Sequence, residues 1–155
     1  AWGLGGPYCM SKHAIEAYTD SLAAELEPFG VRVSVIDPGN YKSDIMLSLK
    51  ERLIESGYST EDSLYKGRLD GFLSSPLDRA QYKEPDEVAD AFLDALTSEN
   101  PKRRYMVVPN KGEAEMTIRS ILSRAAQMND DHEHSFTRDE LVAMLDEMIA
   151  ANTRE

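Results

Sequence analysis

One cysteine, Cys9, stands among 155 residues, so no internal disulfide can form and the spacing of a zinc cluster is absent. No apolar run approaches the length of a membrane span. Basic residues are the poorer side of the charge balance, 17 against 28 acidic, for a net charge of −11 at pH 7. An acidic surface repels phosphate backbones, which argues against nucleic acid as a partner. Histidines number three, and His132 and His134 stand two apart in a polar stretch, not at the His-Glu-x-x-His spacing of a helical metal site. Asn129, Asp131, Glu133 and Glu140 fall at the first, third, fifth and twelfth positions of a calcium loop. His134 takes the sixth, where the sharp turn needs glycine, so no metal is expected.

What the chain does have comes early. Tyr8-Cys9-Met10-Ser11-Lys12 sets a tyrosine and a lysine four residues apart at the head of a helical pattern. That spacing puts both side chains on one helix face, one turn apart. An ammonium beside a phenol stabilises phenolate and lowers a tyrosine pKa that is about 10 when free. Tyr8 is thereby a candidate general acid or base, with Lys12 as its partner. Cys9, inside the same turn, reads as a small packing residue and not as a nucleophile.

The spacing alone is common, and its surroundings narrow it. Gly3-Leu4-Gly5-Gly6-Pro7 precedes it, and a helix follows to about Glu27 with Ile15, Ala17, Tyr18, Leu22, Ala23 and Leu26 at helical spacing. Pro28 and Gly30 end that helix, and Val31–Ile36 then reads as a strand buried on both faces, stopped by Asp37-Pro38-Gly39. The segments Pro7-Tyr8-Cys9-Met10-Ser11-Lys12-His13-Ala14, Ala23-Ala24-Glu25-Leu26 and Gly30-Val31-Arg32-Val33-Ser34-Val35-Ile36-Asp37-Pro38-Gly39 together resemble the C-terminal half of a classical short-chain dehydrogenase/reductase. They cover about the first quarter of the chain and are specific as a set.

The resemblance implies Tyr8 as catalytic acid/base, and Lys12 as the residue that binds the nicotinamide-ribose hydroxyls and lowers the Tyr8 pKa. It matches Pro38-Gly39-Asn40-Tyr41-Lys42-Ser43 to a Pro-Gly-x-x-x-Thr loop. There the backbone at Tyr41 and the hydroxyl at Ser43 contact the nicotinamide carboxamide. The implied cofactor is NAD or NADP, and the choice is not readable from these residues. The family's Gly-rich cofactor turn, Asn-Ala-Gly segment and catalytic Ser lie upstream of the Tyr-x-x-x-Lys, so the chain is expected to be a fragment, inactive alone. The implied fold is α/β, the C-terminal half of a doubly wound parallel sheet, with two strands and flanking helices.

Farther along, 44–56 reads as a helix with Ile45, Leu49, Leu53 and Ile54 on one side. Residues 57–82 are polar and broken by Gly67, Gly71 and Pro76. In the family the segment after Pro-Gly, here about 44–82, forms a mobile lid over the substrate. Met46, Leu47, Leu64, Tyr65, Leu69 and Phe72 either line an apolar substrate pocket or pack the lid on the domain. A helix from Pro85 to about Ser98 carries Val88, Ala89, Phe92, Leu93 and Leu96 inward. Arg104–Val108 is the second strand, and a helix runs from about Glu113 to Met128. The expected domain thus covers 1–128. Residues 129–155 form a polar linker and a last helix, where Thr137-Arg138-Asp139-Glu140 has the form of a capping box and Leu141, Met144, Leu145, Met148 and Ile149 make a stripe.

The activity implied is NAD(P)-dependent interconversion of an alcohol and a carbonyl, on a fairly apolar small molecule, in a cytoplasmic protein. A homodimer or homotetramer is compatible with the small residues Ala14, Ala17 and Ala24 on the first helix. Two other readings stay open at this level. One is a truncated, non-catalytic interaction module; the other is an epimerase or dehydratase of the extended branch, which shares Tyr-x-x-x-Lys.

Overall fold

Two parallel strands organise the first part of the chain. The computed structural model describes residues 3–152 and divides into two units, Ala1–Glu113 and Ala114–Glu155. In the first, β1 (Val35–Pro38) pairs with β2 (Arg104–Val107), from Val35 opposite Arg104 to Pro38 opposite Val107. The ladder is extended at both ends by Val35 N–H to the Arg103 carbonyl (2.9 Å) and Gly39 N–H to the Val107 carbonyl (2.7 Å). Parallel pairing needs a long crossover, and three helices supply it: α2 (Ile45–Glu55), α3 (Lys66–Ser74) and α4 (Asp86–Thr97). This is the expected α/β arrangement of a partial Rossmann-like sheet.

Helices meet both faces of this pair. Alternation along the strands puts Val35, Asp37, Arg104 and Met106 on one side and Ile36, Tyr105 and Val107 on the other. α1 (Gly6–Leu26) meets the first side through Arg104, which donates to Glu16 at 3.1 Å and to Asp20 at 2.9 Å. α4 meets the second, where the Tyr105 hydroxyl donates to Asp94 (2.7 Å) and accepts from the Lys102 N–H (3.0 Å). Among the described residues, Ala23, Val35, Tyr41 and Tyr105 are the buried apolar side chains.

Several sequence expectations shift. The first strand begins at Val35, not Val31, because its partner strand starts opposite Val35; Val31 is 48% exposed. The preceding residues are held by side chains instead, Ser34 to the Lys102 carbonyl (2.7 Å) and Arg32 to Asn100 (3.2 Å). Within 57–82 there is a helix, α3, built around Lys66–Asp70 (3.0 Å) and the Thr60–Asp70 bond (2.6 Å). On α4, Phe92, Leu93 and Leu96 face out, whereas Val88, Ala91 and Ala95 are half-buried. Ile15 and Tyr18 of α1 are likewise exposed, since the face turned to the sheet is the one carrying Glu16, Thr19, Asp20 and Ala23.

α5 (Lys111–Met128) starts two residues early, where the Asn110 side chain accepts from the Glu113 N–H at 3.0 Å. In the second unit a closed loop precedes α6 (Arg138–Asn152): Asn129 and Phe136 exchange two hydrogen bonds, at 2.9 and 2.7 Å. The capping box forms, with Thr137 N–H to Glu140 at 2.7 Å and Glu140 N–H to the Thr137 hydroxyl at 3.4 Å. Among the described residues no helix is long and apolar enough to cross a membrane.

Candidate active site

Pro7 sits in the first turn of α1, where a missing N–H costs nothing, and the Cys9 N–H bonds the Gly5 carbonyl at 2.8 Å. The helix therefore begins early enough to hold Tyr8 and Lys12 on one face. The Lys12 ammonium lies 5.5 Å from the centroid of the Tyr8 ring. Tyr8 is 42% exposed, so its phenol can be reached from outside the helix. Ser11 turns its hydroxyl back to the Tyr8 carbonyl (2.8 Å), and the His13 ring meets the Cys9 carbonyl (2.8 Å).

Farther along the same face are Glu16 and Asp20, one and two turns beyond Lys12. Opposite them on β1 is Asp37. Burial, then the hydrogen bond and charge of Glu16, push the Asp37 carboxyl up to about 6, while Arg104 and Lys12 pull the other way. Lys12 thus lies within electrostatic reach of the end of β1, where Pro38-Gly39 begins. Arg104 holds Asp20 below the usual carboxylate range.

The loop after β1 is fastened from several sides. A side chain on Gly39 would meet Glu113 Oε2 at 2.6 Å, with Pro109 and Val108 at 3.0 Å, so these neighbours would have to shift to admit one. The Asn40 N–H donates to Glu113 (2.7 Å) and the Lys42 N–H to the Lys83 carbonyl (2.9 Å). Tyr41 is buried, its N–H on the Gly39 carbonyl (3.1 Å) and its hydroxyl on Glu87 (2.6 Å). That burial and the Glu87 carboxylate push its phenol up to about 12. Pro38 and Ser43 are exposed.

Tyr8 and Lys12 thus share one helix face, whereas Pro38, Gly39, Tyr41 and Ser43 form one loop at the carboxyl end of β1. The groups missed from sequence are the ones that hold these two pieces: Glu16, Asp37, Arg79, Glu87 and Glu113. Glu16 was legible as the next turn after Lys12, and Asp37 as an acid inside an apolar strand; Arg79 and Glu113 left no local signal. A cavity of about 360 Å³ lined by Glu87, Lys102 and residues 104–108 includes neither Tyr8 nor Lys12.

Comparison with known proteins gives a consistent relationship. The family model described as short chain dehydrogenase matches residues 1–53. Mouse (Mus musculus) short-chain dehydrogenase/reductase family 9C member 7 is 35% identical over 113 residues, 66% of this chain and 35% of that protein. Rat (Rattus norvegicus) retinol dehydrogenase 16 is 35% identical over 111 residues, 65% of this chain and 34% of that protein. Human (Homo sapiens) retinol dehydrogenase 16 is 48% identical over 53 residues, 34% of this chain and 16% of that protein. The chain spans about a third of the length of the first two relatives. No solved structure gives a significant match. With the family model matching through Tyr8, Lys12 and the Pro38–Ser43 loop, and relatives 35% identical across about 65% of the sequence, this chain matches the short-chain dehydrogenase/reductase family.

Proposed function

We propose that this chain is the proton-transfer and nicotinamide-binding part of an NAD(P)-dependent oxidoreductase that interconverts an alcohol and a carbonyl. The observation that carries the reading is the Tyr8–Lys12 pair, a half-exposed phenol with an ammonium 5.5 Å from its ring. Nicotinamide dinucleotide, when bound, supplies or accepts the hydride. Tyr8 gives a proton from its hydroxyl to the substrate oxygen in reduction and takes one in oxidation. Lys12 places a positive charge 5.5 Å from the centre of the phenol ring, on the face from which the proton is exchanged. Its three N–H donors, with the Tyr8 hydroxyl, suit a ribose diol, and this donor chemistry supports the nicotinamide assignment. Ser43 and the backbone of Gly39 and Tyr41 would hold the carboxamide end.

The relatives named retinol dehydrogenase support an apolar, retinoid-like alcohol as the substrate class. Met46, Leu69 and Phe72 of the segment between β1 and α4 are half-buried apolar side chains suited to such a molecule. On this reading the 155-residue chain alone turns over no substrate. Replacing Lys12 by Met in the full-length protein is the test. Dinucleotide binding should weaken about tenfold or more, as for loss of a charged hydrogen-bond donor, and turnover should fall with it. Unchanged affinity for both NADH and NADPH would contradict the assignment of Lys12.

A further inference from the structure

We infer that Arg79 is a positioning residue of the dinucleotide site, holding the Pro38–Ser43 loop against the segment that joins α3 to α4. The inference deepens the proposed function and rests on it. One guanidinium nitrogen of Arg79 donates to the Asn40 side-chain oxygen at 2.6 Å and to the Tyr41 carbonyl at 2.7 Å. The guanidinium lies 3.6 Å from the centroid of the Tyr82 ring, a stacked arrangement that fixes its plane. Its Nε is buried with no hydrogen-bond partner, a cost that the two bonds and the stack offset. Two residues before Arg79, the backbone turns at Leu77 with φ 51°, a left-handed conformation that a leucine adopts at a cost.

Other fasteners of the loop are Glu113 on the Asn40 N–H, Glu87 on the Tyr41 hydroxyl and the Lys83 carbonyl on the Lys42 N–H. Arg79 holds two successive residues, through a side chain and a carbonyl. It also belongs to the lid segment, whereas the loop belongs to the strand end. A loop already fixed in its binding shape loses less freedom when a ligand arrives, which strengthens binding without a new contact. Arg79 therefore acts on affinity for the dinucleotide and not on the proton transfer at Tyr8. A lysine cannot replace it fully, because a point charge does not reproduce the planar stack on Tyr82.

The experiment uses the full-length protein with Arg79→Met, which keeps the apolar stem, and Arg79→Lys. NADH and NADPH affinities are read by fluorescence titration, and amide exchange through 38–44 is read without ligand. Loss of about one charge-assisted bond predicts roughly tenfold weaker dinucleotide binding in Arg79→Met, and turnover at saturating cofactor within about threefold. Exchange at the Lys42 amide should quicken, and Arg79→Lys should fall between. Unchanged affinity in a folded Arg79→Met protein overturns the inference. Should Arg79→Met not fold, Asn40→Ala removes one acceptor and should weaken binding a few-fold; no change there overturns it equally. Tyr8→Phe, run in parallel, separates the two claims. Lost turnover there with unchanged Arg79→Met affinity removes only the positioning role, whereas full turnover in Tyr8→Phe removes the catalytic reading itself.

Discussion

Asp37 shows how a single carboxyl can report on the site. It is the one acid in the apolar run before Pro38-Gly39, and it faces Glu16 and Lys12 from α1 and Arg104 from β2. Burial and Glu16 raise it from 3.8 to about 6, so the folded protein keeps this proton at pH values where the unfolded chain has lost it. The stabilising contribution is complete below the lower value and is lost as pH rises through the upper one. Asp20, held by Arg104, and Asp70, held by Thr60 and Lys66, have the opposite sign, contributing above the usual carboxylate range and losing that as pH falls. Asp37→Asn should therefore remove the decline in melting temperature between 3.8 and about 6, and leave the variant more stable than the parent at neutral pH. A variant that kept the same decline would place the raised carboxyl elsewhere.

Among the elements, those announced by local chemistry were legible in the sequence and those set by pairing were not. α1 and α6 carry their own start signals, Pro7 in one case and Thr137 with Glu140 in the other. Thr137→Ala removes the single hydroxyl that both accepts from the Glu140 N–H and donates to the Glu140 carboxylate (2.7 Å). The loss should be about 1 kcal/mol of helix stability, seen as faster amide exchange in the first turn of α6. Unaltered exchange would show the cap to be unimportant. β1 was displaced because a strand exists only where a partner offers hydrogen bonds, and β2 offers them from Arg104 onward. α3 was hidden by Gly67 and Gly71, which weaken a helical pattern; Lys66, Asp70 and Thr60 make up for them through contacts outside the pattern. The same limit applied to the site. Tyr8 and Lys12 declare themselves by spacing, while Arg79 reaches the loop across 38 positions of sequence.

For the whole molecule, the acidic balance, the parallel pair and the family relationship fit one another, but the buried apolar set is small. Phe92, Leu93 and Leu96 on α4 and Ile15 and Tyr18 on α1 are exposed, because ion pairs and hydrogen bonds, not these side chains, join the helices to the strands. The chain spans about a third of its curated relatives, so activity belongs to an account of the full-length protein. The most direct test is Tyr8→Phe in that protein, with turnover of an apolar alcohol and dinucleotide affinity measured side by side. Loss of a positioned proton donor predicts turnover lower by about a hundredfold or more with affinity nearly unchanged. Normal turnover in a protein lacking the Tyr8 hydroxyl would contradict the account.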